Sequence, residues 1–437
     1  MRNGVTTTRA AASAHLTVLL VLIAWATYLH VPLVSGGRLL VPSFPAVALS
    51  PLLLLAVRQN LSTSDVVFLF KIGFVLLLSI ALSPGYSHIQ EKLFALAQFV
   101  MALGIAVLVV QLMQVMSRAS LERALLIVCA LILIGCLLEM FDVIKAPSDA
   151  FRAWAYGQLQ GIYHADARDL NMVGWPRPKL FSEEPSHVTK FFIASTNAWL
   201  LVRVSMGKAV TVVGATTIML VIMGSPMLIV SGAITLSILI WNQRVRLGVR
   251  IATVMGILIV GGVVGSYIAA ESYSNVADRV ARIDESAVTD MDESSGESTE
   301  RLGGDERRVV LPWVTLADIW RQWPFFGVGV GGKEFVAEYR NLSESNPTLV
   351  VGNNAFASIG IFLGIVGGTM FVLLVLAQAR NSGVRRVGLL AVVVILFSHL
   401  IGGIDSIRYW GFVALLWGAL AAGDRADSSV TQLTNSR

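Results

Sequence analysis

The segment from Arg177 to His187 concentrates charge beside a hydrophobic stretch. It reads Arg-Pro-Lys-Leu-Phe-Ser-Glu-Glu-Pro-Ser-His, and an apolar helix is predicted to begin directly after it, near Val188. Prolines and charged side chains at this density are excluded from hydrocarbon. Glu183, Glu184 and His187 are candidate general bases, because a carboxylate or imidazole beside an apolar surface can be tuned toward neutral pH. The segment is therefore predicted to form the lip of an active site at a membrane surface.

An ordinary solvated loop is the alternative interpretation of this segment. Glu183 and Glu184 stand just before a helix start, where the helix dipole favours negative charge. Ser186 is a natural N-cap for the same helix. Each of these side chains can thus serve the helix instead of a reaction.

Arginines on the same predicted surface offer a second kind of chemistry, the binding of an anionic headgroup. The guanidinium is planar, donates two parallel hydrogen bonds to a phosphate and keeps its charge at every physiological pH. The candidate cations are Arg177, Lys179, Arg307, Arg308 and Arg321. For any single one of them, anchoring to lipid headgroups is the alternative role.

The composition indicates which elements position these residues. Of 437 residues, 55% are hydrophobic and only 14% are charged, and the mean hydropathy is +0.71. These values predict an all-α polytopic membrane protein. About twelve transmembrane helices are predicted, at 15–34, 39–57, 66–82, 93–115, 121–141, 188–202, 209–222, 227–241, 250–269, 354–378, 387–403 and 409–422.

The cations of the short loops predict the orientation of these helices. They fall on one side of the membrane if the N-terminus is cytoplasmic, and both termini are then cytoplasmic. The net charge of +5 comes from these scattered loop cations, so nucleic-acid binding is excluded. The predicted organisation is helices 1–5 in 1–141, a large external loop at 142–187, helices 6–9 in 188–270, a second external loop at 271–352, helices 10–12 in 353–423 and a cytoplasmic tail at 424–437.

The second external loop is predicted to contain an amphipathic helix near 307–323. Trp313, Leu316 and Trp320 recur there at helical spacing, with polar residues on another face. This pattern predicts a helix that lies on the bilayer, or equally one that docks on the transmembrane bundle.

Two glycine patterns follow that helix. The run from Gly327 to Gly332 lacks the strand and helix that a dinucleotide site requires, so a flexible surface turn is the favoured interpretation and phosphate contact the lesser one. Asn353-Asn354 then opens a long apolar helix in which Gly360, Gly364, Gly367 and Gly368 favour close helix packing.

Several of these motifs resemble the O-antigen ligase and polymerase superfamily of bacterial envelope enzymes. The segment from Arg177 to Ser186 is similar to the Arg…Gly-x-x-x-Glu-Pro-Ser pattern of Wzy-type polymerases, with Leu180 where glycine is common. The stretch from Arg308 to Gly329 is similar to the second-loop segment of the superfamily. Asn353-Asn354-x9-Gly364-x-x-Gly367 matches the ligase motif His-Asn-x9-Gly-x-x-Gly in spacing, with asparagine in place of the histidine.

The resemblance implies a GT-C-like glycosyltransferase in the bacterial inner membrane. Its substrates would be undecaprenyl-pyrophosphate-linked oligosaccharide repeat units, joined at the periplasmic face without a metal or any other cofactor. Arg177 and Arg308 would neutralise the leaving pyrophosphate, with Arg307 or Arg321 as substitutes. Glu184, or His187 in its place, would activate the acceptor hydroxyl. Membrane lipid and a chain-length regulator are the further partners that it suggests.

Three other functions stay open at the sequence level. One is a ligase that transfers a finished glycan to lipid A core or another acceptor, although asparagine at position 353 cannot act as the ligase base. Another is a transporter or flippase of lipid-linked oligosaccharide, which the scarcity of ionisable residues within the spans disfavours. The third is a non-catalytic regulator of glycan length.

Overall fold

The computed structural model describes residues 2–35, 38–41, 43–157, 169, 174–225, 227–242, 311–339, 354–401 and 403–435. Within these ranges the chain is mostly helical. The predicted span at 250–269 and the residues Arg307, Arg308 and Asn353 lie outside the described residues.

Up to residue 157, the described residues form six α-helices, a short 3-10 helix (Tyr86–His88) and a small hairpin. The strands β1 (Leu33–Ser35) and β2 (Arg38–Val41) pair antiparallel, with Ser35 opposite Arg38. The hairpin occupies the start of the span predicted at 39–57, so the helix there is shorter than expected. The helices are α1 (Arg2–Leu29), α2 (Phe44–Val57), α3 (Thr63–Ala81), α4 (Ile89–Val115), α5 (Arg118–Met140) and α6 (Lys145–Tyr156).

The second half adds eight described helices. They are α7 (Pro185–Val202), α8 (Met206–Met223), α9 (Met227–Asn242), α10 (Leu311–Gln322), α11 (Lys333–Tyr339), α12 (Ala355–Asn381), α13 (Val387–Ser398) and α14 (Ile407–Asn435).

Apolar length identifies the helices that can cross a membrane. Five of the described helices, α3, α4, α5, α8 and α12, are long and apolar enough to do so, and four apolar helices are shorter: residues 13–29 of α1, then α2, α9 and α13. These helices are consistent with a helical membrane protein.

Helices α7 and α14 form the centre of the bundle. Sixteen of the 18 residues of α7 are buried, and α14, α5, α9, α8 and α1 pack around it. Stacked aromatic rings connect α1, α7 and α14. The ring centroid of Phe191 lies 4.6 Å from that of Tyr28 and 5.5 Å from that of Phe412. Because α7 is enclosed by protein, it tolerates buried polar residues such as Lys190 and Asn197, which a lipid-facing helix would not.

Helix α12 is interrupted near its first third. Gly364 has φ 64° and ψ −166°, a conformation that essentially only glycine adopts. The segment Pro324–Gly329 lies beside the break and completes its backbone hydrogen bonds. These bonds are Val328 N to Ile361 O (3.0 Å), Gly329 N to Phe362 O (2.9 Å), Ile365 N to Pro324 O (2.7 Å) and Val366 N to Phe325 O (3.0 Å).

The glycine run from Gly327 to Gly332, which overlaps this segment, is buried, so the prediction of a flexible surface turn is wrong. Val328 and Val330 are fully buried. A Cβ on Gly329 would lie 2.6 Å from Ser83 Oγ, and one on Gly331 would lie 2.6 Å from Ala95 Cβ. The glycines therefore let the chain pack tightly against α4 and the end of α3.

Helix α10 docks on the bundle, which is one of the two arrangements predicted for it. Trp320 donates from Nε1 to Gly360 O at 3.0 Å, and the Trp313 ring lies 6.2 Å from Phe356 on α12. A Cβ on Gly360 would lie 2.6 Å from Leu316. The small residue on α12 thus makes room for α10, as the glycine spacing predicts.

Candidate functional site

A strained turn at Leu180 and Phe181 leads into the N-terminus of α7. Both residues have positive φ, 44° and 64°, a conformation that costs a residue with a side chain about 1–2 kcal/mol. Strain of this kind persists only where the surrounding structure fixes the backbone, and it concentrates at functional sites. Glycine at position 180 would adopt this conformation without the same cost.

Three helices hold this turn through hydrogen bonds to its backbone. From α1, Tyr28 donates its hydroxyl to Leu180 O at 2.9 Å. On α5, Glu139 accepts from Leu180 N at 2.5 Å. From α6, Arg152 donates Nε to Ser182 O at 2.8 Å. The buried side chains of Tyr28, Glu139 and Arg152 thus fix the path of the chain just before α7.

The turn brings Glu183 and His187 together with Arg408 from the start of α14. Arg408 Nη1 lies 3.3 Å from Glu183 Oε1 and 3.0 and 2.8 Å from the two ring nitrogens of His187. His187 Nδ1 lies 3.7 Å from the same Glu183 oxygen. These three residues, which we call the Glu183 cluster, form the candidate site.

Arg408 is anchored by the C-terminal end of α1. Its Nε donates to Tyr28 O at 3.1 Å and its Nη2 to Leu29 O at 3.5 Å. The guanidinium is nearly buried, whereas the side chain of Glu183 is 29% exposed. Arg408 therefore orients the two candidate bases, and the Glu183 carboxylate remains accessible to a substrate.

The contact with Arg408 constrains the protonation of His187. Arginine donates through all its N–H groups and does not accept. A ring nitrogen of His187 that accepts from Arg408 therefore carries no proton. The arrangement favours a neutral imidazole beside a carboxylate, which is a combination suited to taking up a proton.

His30 lies beyond the end of α1, within the electrostatic influence of Arg408. Burial, and secondly the charge of Arg408, hold the pKa of His30 well below its usual value of 6.5. Its Nδ1 is buried with no hydrogen-bond partner among the described residues, although the residue as a whole is partly exposed. His30 is thus kept neutral next to the Glu183 cluster.

Arg177, the predicted pyrophosphate ligand, pairs with a buried aspartate. Its Nε and Nη2 lie 2.8 and 2.7 Å from Asp169 Oδ1, and Asp169 is fully buried. Arg177 also lines an open cleft between the ends of α5 and α6, to which Glu139, Lys145 and Trp175 contribute. The carboxylate fixes the guanidinium at the wall of this cleft, and its role as a phosphate ligand stays a prediction.

Glu184 stands apart from the contacts of the Glu183 cluster. It is the N-cap of α7 but forms no side-chain capping bond, and Pro185 follows at the first helical position. Ser186 was the expected N-cap; it lies inside the helix instead and donates its hydroxyl to Glu184 Oε2 at 3.0 Å. The proline favours this register because its fixed φ suits the first turn. Of the two glutamates, Glu183 is thus the one in contact with His187 and Arg408.

The remaining predicted cations lie elsewhere or outside the described residues. Arg321, on α10, is 80% exposed and lies 3.9 Å from Asp318. Lys333, at the start of α11, forms an ion pair at 3.1 Å with Asp405, three residues before Arg408. The second loop therefore meets the candidate site through the turn that precedes α14.

The described residues contain no group of three or more His, Cys, Asp or Glu side chains that could hold a metal ion. The ionisable side chains of the Glu183 cluster and Arg177 are groups that this part of the chain offers for a reaction. Proton transfer by Glu183 or His187 and charge complementarity from arginine are its available functions.

Sequence reasoning missed Arg408, although a signal for it exists. The final apolar span was predicted to begin at 409, directly after this arginine. The predicted topology puts Arg408 on the external side, where short loops carry few cations. A cation at the external edge of a span departs from the bias of short-loop cations toward the cytoplasmic side. Such a cation is a functional candidate.

Comparison of the sequence with protein-family models and with curated proteins gives no match. The function therefore has to be argued from the site.

Proposed function

We propose that the chain is a membrane glycosyltransferase that polymerises oligosaccharide repeat units linked to undecaprenyl pyrophosphate. The reaction would take place at the external face of the bacterial inner membrane, without a metal or another cofactor. The observation that carries the proposal is the Glu183 cluster, in which a buried arginine contacts an accessible carboxylate and an imidazole.

The reaction needs one base and one stabilised leaving group. The Glu183 carboxylate, with His187 beside it, takes the proton of the acceptor hydroxyl. The hydroxyl oxygen then bonds to the anomeric carbon of the donor glycan. The bond from that carbon to the pyrophosphate oxygen breaks, and undecaprenyl pyrophosphate leaves with the electron pair.

Charge complementarity supports the second half of this reaction. Fixed cations stabilise charge as it develops on a leaving group, and they act most strongly where water is partly excluded. Arg177 is held by Asp169 in the cleft beside the same turn. We assign Arg177 to the pyrophosphate and Glu183, rather than Glu184, to the acceptor hydroxyl.

Reconstitution tests this proposal. Protein in liposomes receives one lipid-linked repeat unit, and products are separated by size. A polymerase yields a ladder of products, whereas a ligase yields one adduct and only when a separate acceptor is supplied. A wild-type protein that elongates nothing under these conditions would overturn the proposed function.

Two variants test the assignment of the residues. Glu183→Gln and Arg177→Ala are expected to abolish most of the ladder. Glu338→Gln is the matched control, because Glu338 is 73% exposed and pairs only with His88 among the contacts described. Elongation at the wild-type rate by the Glu183 and Arg177 variants would refute the site while leaving the function standing.

A further inference from the structure

A second polar cavity lies at the far end of α7 from the Glu183 cluster. With 18 residues in α7, the two ends of the helix are roughly 27 Å apart. The side chains of Arg118, Arg203, Arg386 and Asn242 surround the cavity together with the chain at 201–204. These residues come from α5, from the end of α7, from the end of α9 and from the residue that caps α13.

Two of the three arginines are held in place by the protein. Arg118 Nη2 donates to Val202 O at 2.8 Å. Arg386 Nε lies 2.5 Å from Asp424 Oδ1, and its Nη1 donates to Asn242 Oδ1 at 3.2 Å. Ordered guanidinium groups lose little freedom when they bind a ligand, so the cavity is preorganised for an anion.

Arg203 is the third cation, and it has no such restraint. It is exposed, and within the part of the chain that the structure describes it forms neither a hydrogen bond nor an ion pair. Capping of the C-terminus of α7 explains the bond from Arg118 to Val202, but it leaves Arg203 without a role. Its charge is available to the cavity.

The charge balance around the cavity favours an anion. Glu122 is shared by Arg118 at 3.7 Å and Lys208 at 3.2 Å, and Asp424 is engaged by Arg386. Among the described residues, four cations, counting Arg203, face two carboxylates, which leaves a net charge of +2.

The size of the cavity limits the ligand. Its volume is about 260 Å³, below the roughly 300–1,000 Å³ of sites that enclose drug-sized ligands. Its wall is almost entirely polar, so it does not suit an acyl chain or an aromatic ring. A phosphate group fits within this volume and suits its polarity and charge, and arginine binds phosphate in a bidentate manner.

We propose that this cavity binds a phosphate group, as the headgroup of an anionic phospholipid or as free phosphate. The location at one end of a bundle of apolar helices brings it within reach of lipid headgroups. The proposal is independent of the glycosyltransferase activity, because its residues are distinct from the Glu183 cluster.

Thermal unfolding in nanodiscs of defined lipid tests the proposal. One set of nanodiscs contains phosphatidylcholine alone, and the other contains equal parts of phosphatidylcholine and phosphatidylglycerol. A third sample adds inorganic phosphate to the phosphatidylcholine nanodiscs, against chloride at matched ionic strength. A ligand that binds only the folded protein raises the unfolding temperature, so we expect a rise of a few degrees with at least one of these probes.

Substitutions at Arg203 and Arg58 distinguish binding in the cavity from a nonspecific effect of surface charge. Arg203→Gln is expected to lose most of the rise, and Arg203→Lys to keep part of it. Arg58→Gln is the matched control, because Arg58 is also exposed and lies on the same predicted side of the membrane.

The two probes distinguish the sources of the phosphate group. A rise in unfolding temperature with phosphatidylglycerol alone identifies a lipid headgroup, and a rise with inorganic phosphate identifies a free anion. The proposal fails if neither probe stabilises the protein, or if Arg203→Gln responds like the wild type or like Arg58→Gln.

Discussion

The side chain of Leu180 fills the space that Gly135 leaves open on α5. A Cβ on Gly135 would lie 2.5 Å from Leu180 Cδ1, and Leu180 is only 2% exposed. Leu180 also has a φ of 44°. The packing against α5 therefore helps to hold the strained turn that delivers Glu183 to the candidate site.

This contact predicts the effect of Gly135→Ala. The added methyl group must displace Leu180, so we expect a loss of about 1–3 kcal/mol in the free energy of unfolding. Leu180→Ala removes the obstructing atoms, and the double variant is expected to recover part of that loss, with a coupling of about 0.5–3 kcal/mol. Thermal unfolding in detergent measures all four proteins. If the changes in the free energy of unfolding are strictly additive, the two side chains are not in steric contact.

Substitutions in the Glu183 cluster should affect activity in different ways. Glu183→Gln removes the carboxylate that takes the proton, so elongation is expected to fall about 10²–10⁴-fold. Arg408→Lys keeps the charge but cannot reproduce the several directed N–H donors of the guanidinium, and we expect an intermediate loss. Initial rates in proteoliposomes provide the comparison. If Arg408→Lys is as active as the wild type, the positive charge at position 408 is sufficient for activity and the several N–H donors of the guanidinium are not required.

The environment of His30 predicts how stability depends on pH. Its pKa is lowered by folding, so the unfolded chain binds the proton more readily, and stability is lost as the pH falls below about 6.5 toward the folded-state pKa. His30→Asn is expected to reduce this loss, and asparagine tolerates the positive φ of 52° at this position. The measurement compares the unfolding temperatures of the variant and the wild type at several pH values between about 5 and 8, the range in which histidine titrates.

The control for this experiment is His15→Asn, which changes an exposed histidine within α1, the helix that ends just before His30. We expect its pH dependence to follow that of the wild type. If the two variants cannot be distinguished, His30 does not contribute to the pH dependence.

The break in α12 predicts a large effect of Gly364→Ala. A Cβ there would lie 2.5 Å from the Phe325 carbonyl carbon, and the backbone conformation excludes alanine. We expect a loss of about 3 kcal/mol or more. Gly104→Ala is the control: no atom lies within 4 Å of its added Cβ, and alanine favours a helix by about 1 kcal/mol over glycine. Opposite shifts in unfolding temperature are expected, and a neutral Gly364→Ala would contradict the described break.

Most of the long helices were predictable from the sequence, because each corresponds to a continuous run of apolar residues. The start of α12 agrees with the prediction of a helix from Asn353-Asn354, and Asn354 caps it by accepting from Ala357 N at 3.1 Å. Helix α6 was not predicted, because periodicity rather than mean hydropathy marks a short amphipathic helix. The count of twelve spans stays a prediction.

The candidate site was predictable only in part. Glu183 and His187 lie on one local segment, so their proximity follows from sequence spacing. The contribution of Arg408 does not, because it is 221 residues from His187 and meets it only when α14 packs against α1 and α7. The choice of Glu183 over Glu184 depends on the contacts with His187 and Arg408, which composition cannot reveal.

The interruption of α12 also bears on how the protein is made. During membrane insertion, the amides of Ile365 and Val366 and the carbonyls of Ile361 and Phe362 cannot remain unpaired in lipid. Their partners belong to Pro324–Gly329, and Ser79 on α3 donates its hydroxyl to the Phe362 carbonyl at 2.9 Å. We therefore expect nascent α12 to enter the bilayer as a continuous helix and to open only when the earlier segments dock against it. Biogenesis would then include a late remodelling step in which a finished helix is partly undone.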